Sequence, residues 1–268
     1  IVGGAASPHA YALKPSQAQA LENADLIFWI GRELESFLEK PIETIGANAR
    51  AVELIDSDGL IQLPFREGGA FETQVLDEHA DGADQDDRDG HDDHDDGFDA
   101  HLWLDPLNAK VFVGAIGEAL SATDPANAST YAANVARTNE RLDALIDEVN
   151  ATLAPVRDKQ FIVFHDAYQY FEKRFDMEAA GSITVNPEAR PSAERVAAIR
   201  DKMRELGAAC AFSEPQFDSQ LIDVAIEGST ARSAVLDPLG ATLDDGPDQY
   251  FDLIRNLATS MHECLQNG

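Results

Sequence analysis

FIVFHDAYQYFEKRF, residues 161–175, decides the fold of this chain. Its first four residues form an uninterrupted apolar run, the pattern of a strand buried on both faces of a parallel sheet. From 167 to 175 the pattern becomes helical, with aromatic residues recurring three and four positions apart. A strand feeding directly into a helix is half of a βαβ unit, and a histidine, His165, stands at the junction.

The same rhythm extends outward in both directions. Downstream, strands are predicted over 180–185, 209–213 and 234–236, and helices over 193–206, 218–226 and 247–265. Upstream, 1–4 reads as the end of a strand, 14–24 as a helix opening on Pro15 and Ser16, 25–30 (DLIFWI) as a buried strand, 33–45 as a helix and 51–55 as a strand. A helix through Leu120 follows His101. Asp124-Pro125 then starts a longer helix whose apolar residues Tyr131, Val135, Leu142, Leu145, Ile146, Val149 and Leu153 keep to one face. About 30 residues at 1.5 Å each give it roughly 45 Å. The fold class is therefore α/β: an N-terminal lobe over 1–123, a linking helix over 124–154 and a C-terminal lobe over 155–268, both sheets parallel. Such sheets bind ligands beyond the carboxyl ends of their strands, so the expected site is an interlobe cleft.

The formal net charge of −29 argues against nucleic acid and anionic membrane as partners and favours cations. No run of about 18 apolar residues is present. The amino terminus lacks a basic region followed by an apolar one, and its opening suggests that any export signal, with a first strand and helix, was removed or left out. Residues 77–99, DEHADGADQDDRDGHDDHDDGFD, hold twelve carboxylates against one arginine. A segment of that composition is expected to be disordered. Its His79, His91 and His94 are candidates for weak metal collection ahead of the cleft.

Three further histidines, His9, His101 and His165, fall at turns or strand ends far apart in the chain, and Asp237 follows the last predicted strand. Three imidazoles and a carboxylate suit a tetrahedral zinc ion. Scattered over the chain they lack the local spacing of a zinc finger or an HExxH helix, and a lone strand-end histidine is more often hydrogen-bonded structure. Asp166 is either a helix cap or a partner of a histidine ring. Cys210 and Cys264 are either two buried thiols or one disulfide between a strand and the last helix.

The words around these residues are more specific than the residues. GAASPHAYALKPSQAQALENADLIFWIG, AHLWLDPLNA, FIVFHDAYQYFEKRF, SITVNPEARPSAERV, CAFSEPQF and VLDPLG resemble the zinc-specific solute-binding proteins of bacterial ABC importers, cluster A-I or ZnuA type, nearly end to end apart from the acidic tract. The resemblance implies two Rossmann-like lobes, a rigid linking helix, and Zn²⁺ between the lobes on His9, His101 and His165. It implies transport without catalysis, a periplasmic location, a membrane permease as partner, a periplasmic zinc chaperone as a further candidate partner, and a monomer. It also implies a Cys210–Cys264 disulfide. Where manganese-binding relatives carry Glu, this chain has His165, which favours zinc. Some zinc-type members place Glu before the first histidine; Pro8 stands there, leaving Asp237 or water as fourth ligand, with Asp237 preferred. By this resemblance a further strand and helix are expected ahead of the first histidine segment, and the sequence as given does not show them. A zinc hydrolase, and a metal buffer or adhesin on the same fold, are the competing classes.

Overall fold

The computed structural model describes residues 6–66, 97–184, 187 and 191–267. The strand end expected over 1–4 and the histidines His79, His91 and His94 lie outside these residues.

In the first lobe, α1 (Pro15–Glu22), β1 (Leu26–Trp29), α2 (Arg32–Thr44) and β2 (Arg50–Glu53) follow the expected order. β1 and β2 pair in parallel, Leu26 opposite Arg50 through Trp29 opposite Glu53. Leu21, Ile27, Trp29, Leu38 and Ile42 close a small core between this pair and its two helices.

Of the stretch 77–99, expected to be disordered, residues 77–96 lie outside the described residues, and 97–99 are held in place. Phe98 bridges Pro64 in antiparallel register, and Asp99 is buried, its N–H donating to the Leu63 carbonyl at 2.9 Å. Composition reads the stretch as a block, but one aromatic residue able to bridge Pro64 is enough to anchor its end. A 3-10 turn over Leu102–Leu104 then leads into α3 (Pro106–Thr123), which Asp105 caps by accepting from the Leu107 N–H at 2.8 Å.

The long helix is α4 (Ala128–Leu153), 26 residues or about 39 Å. It starts later than expected because Pro125 opens a separate 3-10 turn, Pro125–Asn127, first. Leu142, Leu145, Val149 and Leu153 form its buried seam. That seam belongs to one core running from Leu34 in α2 to Leu265 at the end of the chain, so the two lobes share apolar packing along α4.

The second lobe holds β3 (Phe161–His165), α5 (Gln169–Phe175), β4 (Ala179–Thr184), α6 (Ala193–Leu206), β5 (Cys210–Ser213), α7 (Gln220–Ile226), β6 (Arg232–Val235) and α8 (Gln249–Leu265). Its strands are all parallel, in the order β4-β3-β5-β6. Every residue of β3 is buried, which is why FIVF carries no polar alternation. Gly207, with φ of 62°, ends α6 in the left-handed conformation and lets the chain turn into β5. A disulfide joins Cys210 of β5 to Cys264 of α8. The chain runs from β3 out to β4 and then returns to β5 on the other side of β3. The carboxyl ends of β3 and β5 are thus the switch point of the sheet, where open α/β folds leave a crevice.

Candidate metal centre

His165 is the last residue of β3, and Glu214 follows the last residue of β5, so the switch point presents an imidazole and a carboxylate side by side. Their atoms Nδ1 and Oε1 lie 2.7 Å apart, both buried. An ionised carboxylate can only accept, so Nδ1 carries the hydrogen and Nε2 of His165 keeps its lone pair. The buried Tyr168 hydroxyl donates to the Leu236 carbonyl at 3.4 Å, and its pKa is driven well above its usual value by burial first and by the nearby Glu214 carboxylate second.

His101 repeats the arrangement on the first lobe. It precedes the 3-10 turn of Leu102–Leu104, and its Nδ1 lies 2.6 Å from Oδ1 of Asp99, which also accepts from the His101 backbone N–H at 3.0 Å. Its Nε2 is likewise left bare. Burial works against a charged His101 ring, yet Asp99, then Glu214 and Asp166, carry its pKa above the ordinary value.

The two bare Nε2 atoms face each other across the lobes at 3.3 Å. Two lone pairs at that separation repel unless a cation or proton lies between them. Zn–N bonds of about 2.0–2.1 Å at a tetrahedral angle place two nitrogens roughly 3.3–3.4 Å apart. His9, half-buried in the turn before α1, closes the third side, its ring centroid 5.3 Å from that of His101 and 5.8 Å from that of His165. Burial, reinforced by the two neighbouring imidazoles, lowers the His9 pKa to about 3 despite the opposing pull of Asp99. One ligand atom from each of the three histidines lies within 4.8 Å of the others.

Asp237 is not brought into this group. It lies two residues beyond β6, where Oδ1 accepts from Gln216 Nε2 and from the Leu239 N–H, each at 3.2 Å, while Oδ2 is buried without a hydrogen-bond partner. Asp166 takes neither expected role: it pairs with Arg66, whose guanidinium also binds Glu172 at 2.8 Å, and Tyr168 is the residue that precedes α5. The cavity beside the histidines, lined also by Pro8, Trp103, Glu214, Gln216 and Phe217, measures about 10 Å³. It has room for an ion or a water.

Three residues that matter here were not singled out from the sequence. Asp99 was absorbed into the acidic tract although D-x-H spacing marks it. Glu214 stood in plain view as the strand-end carboxylate of CAFSE. Gln216 carries no signal by type or spacing.

Fold and site together describe a mixed α/β protein with parallel sheets in which three histidines are placed to hold a metal ion. The family model described as zinc-uptake complex component A, periplasmic, matches residues 1–264, and the chain belongs to that family. The high-affinity zinc uptake system protein ZnuA of Brucella abortus (strain 2308) is 51% identical over 280 residues, covering 99% of this chain and 84% of its own length. Its namesake from Paracoccus denitrificans (strain Pd 1222) is 40% identical over 266 residues, covering 96% and 82%. A crystal structure of ZnuA superposes with a TM-score of 0.79 at 24% identity, over 98% of this chain and 88% of that one. A ZnuA deletion mutant with zinc bound gives 0.74 at 24%, over 98% and 87%. At that identity the two structures speak to the fold alone. The family is that of a solute-binding component and not of an enzyme.

Proposed function

We propose that this protein captures Zn²⁺ in the periplasm, holds it on His9, His101 and His165, and delivers it to the membrane permease of an ABC importer. The observation that carries the reading is the pair of Nε2 lone pairs 3.3 Å apart, each fixed by a carboxylate behind its ring. Such an arrangement leaves one position between the two nitrogens for a proton or a cation, and it matches the nitrogen spacing of tetrahedral zinc. Nitrogen ligands favour zinc over manganese, which prefers oxygen.

Family membership supports a permease partner and a periplasmic setting, and the disulfide fits an oxidising compartment. A periplasmic zinc chaperone upstream and a monomeric state complete the proposal. His79, His91 and His94, amid their carboxylates, collect zinc weakly and pass it toward His101.

The decisive measurement is chelator competition. Alanine at His101 or at His165 is expected to weaken zinc binding by a hundredfold or more, on the order of 3 kcal/mol. Tight binding that survived either substitution would falsify the assignment. Zinc uptake by vesicles carrying the permease tests delivery separately.

A further inference from the structure

Two buried acceptor atoms at neighbouring strand ends have no donor. One is Oδ2 of Asp237; the other is Oε1 of Gln216, a residue that lines the same cavity as His9, His101 and His165. They belong to one unit, since Gln216 stands just past β5, Asp237 just past the neighbouring β6, and Gln216 Nε2 donates to Asp237 Oδ1 at 3.2 Å. The Leu239 N–H holds the same oxygen. Asp237 is thereby anchored through one oxygen outside the group of three imidazoles, while its second oxygen and the Gln216 carbonyl go unsatisfied. Buried acceptors of that kind call for donors.

A water bound to zinc has committed its oxygen to the metal and has two O–H bonds left to give. Two donors meet two orphaned acceptors. We infer that Gln216 is a positioning residue that keeps Asp237 off the metal and shares with it a zinc-bound water, Gln216 Oε1 and Asp237 Oδ2 each accepting one of its hydrogens. The inference rests on the three-histidine zinc reading and adds a consequence for delivery. A carrier whose fourth ligand is water can be entered by a receiving ligand through displacement of that water, whereas a carboxylate in its place would have to be pulled away first.

The test uses the full chain loaded with Co²⁺ or Zn²⁺ and four forms: unsubstituted, Gln216→Met, Asp237→Ala and the double variant. Methionine keeps the length of glutamine but cannot donate, so it frees Asp237 to swing onto the ion. In the unsubstituted protein, azide is expected to displace the water and shift the visible Co²⁺ spectrum. Gln216→Met should change that spectrum, abolish the azide response and slow zinc release to a chelator by about tenfold or more. Asp237→Ala should alter release by less than about tenfold alone, yet remove the whole slowing in the methionine background. Gln216→Leu, equally unable to donate to Asp237 and without a ligand atom of its own, guards against an effect peculiar to methionine sulfur. The inference is overturned if Gln216→Met keeps the parent spectrum and release rate, or if Asp237→Ala alone weakens zinc by roughly a hundredfold, as loss of a direct ligand would. Failure of the unsubstituted protein to hold zinc tightly sinks the zinc reading itself, a separate result.

Discussion

Two of the three imidazoles owe their usefulness to a neighbour. Asp99 and Glu214 accept from Nδ1 of His101 and His165, and that single contact decides which nitrogen is left for a metal. Amides in their place would change more than charge: the NH₂ group of Asn or Gln can donate to Nδ1, moving the ring hydrogen to Nε2 and blanking the ligand. Asp99→Asn and Glu214→Gln are therefore each expected to weaken zinc 10–100-fold, with apo thermal stability moving far less, as read by chelator competition and a melting curve. Unchanged affinity in both would show that tautomer control is not what these carboxylates supply. The three histidines could be located in the sequence because a histidine ending an apolar strand or opening a turn is conspicuous. Glu214 was not assigned because its partner is 49 positions away in the chain, and only the order β4-β3-β5-β6 sets β3 beside β5. Asp237 shows the converse: its position after a strand was legible, but the donors that hold Oδ1 are set by side-chain packing, which position does not reveal.

At the scale of elements, Arg66 and Asp99, on either side of the residues between them, are both fastened to the segment from Asp166 to Glu172 that follows His165. Arg66, on one side, pairs with Asp166 and Glu172; on the other, Asp99 holds His101, and its carbonyl accepts from the Tyr170 hydroxyl at 2.8 Å. The boundary of a deletion consequently matters. Removing 77–96 should cost only weak zinc equivalents in a titration, whereas removing 77–99 should also damage the tight site by the 10–100-fold expected of Asp99. Equal losses from the two deletions would contradict the role given to Asp99. The disulfide makes a second prediction at this scale. It closes a loop of 54 positions between β5 and α8, worth about 4 kcal/mol in chain-entropy terms. Cys264→Ser should lower Tm by roughly 10 °C with zinc affinity little changed, because the bridge lies at the opposite end of β5 from Glu214. The alternation of elements was legible since buried parallel strands and amphipathic helices write different periods. The start of α4 was not, because Pro125 suits the first turn of a 3-10 and an α-helix alike.

For the molecule as a whole, the lobes share one core along α4, and a site between them is held in register by packing as well as by ligands. Its response to acid follows from the two resolved histidine shifts. The His101 pKa lies above the ordinary 6.5, so in the metal-free protein its proton contributes stability that is complete below that value and is lost as pH rises through the folded pKa. His9, lowered to about 3, behaves oppositely: its contribution is present above 6.5 and is lost as pH falls toward 3. Zinc takes the place of the His101 proton, and the two compete on that ring first, beginning above pH 6.5, while His9 stays neutral. The rise in Tm on adding a fixed excess of zinc should therefore be largest on the alkaline side of the His101 pKa and shrink steadily from pH 8 to pH 5, with affinity falling about tenfold per pH unit while one proton competes. Melting curves with and without zinc across that range measure it directly. A zinc-induced rise that stayed constant to pH 5 would mean that no proton is displaced, and the pairing of His101 with Asp99 would then play no part in how acid releases the ion.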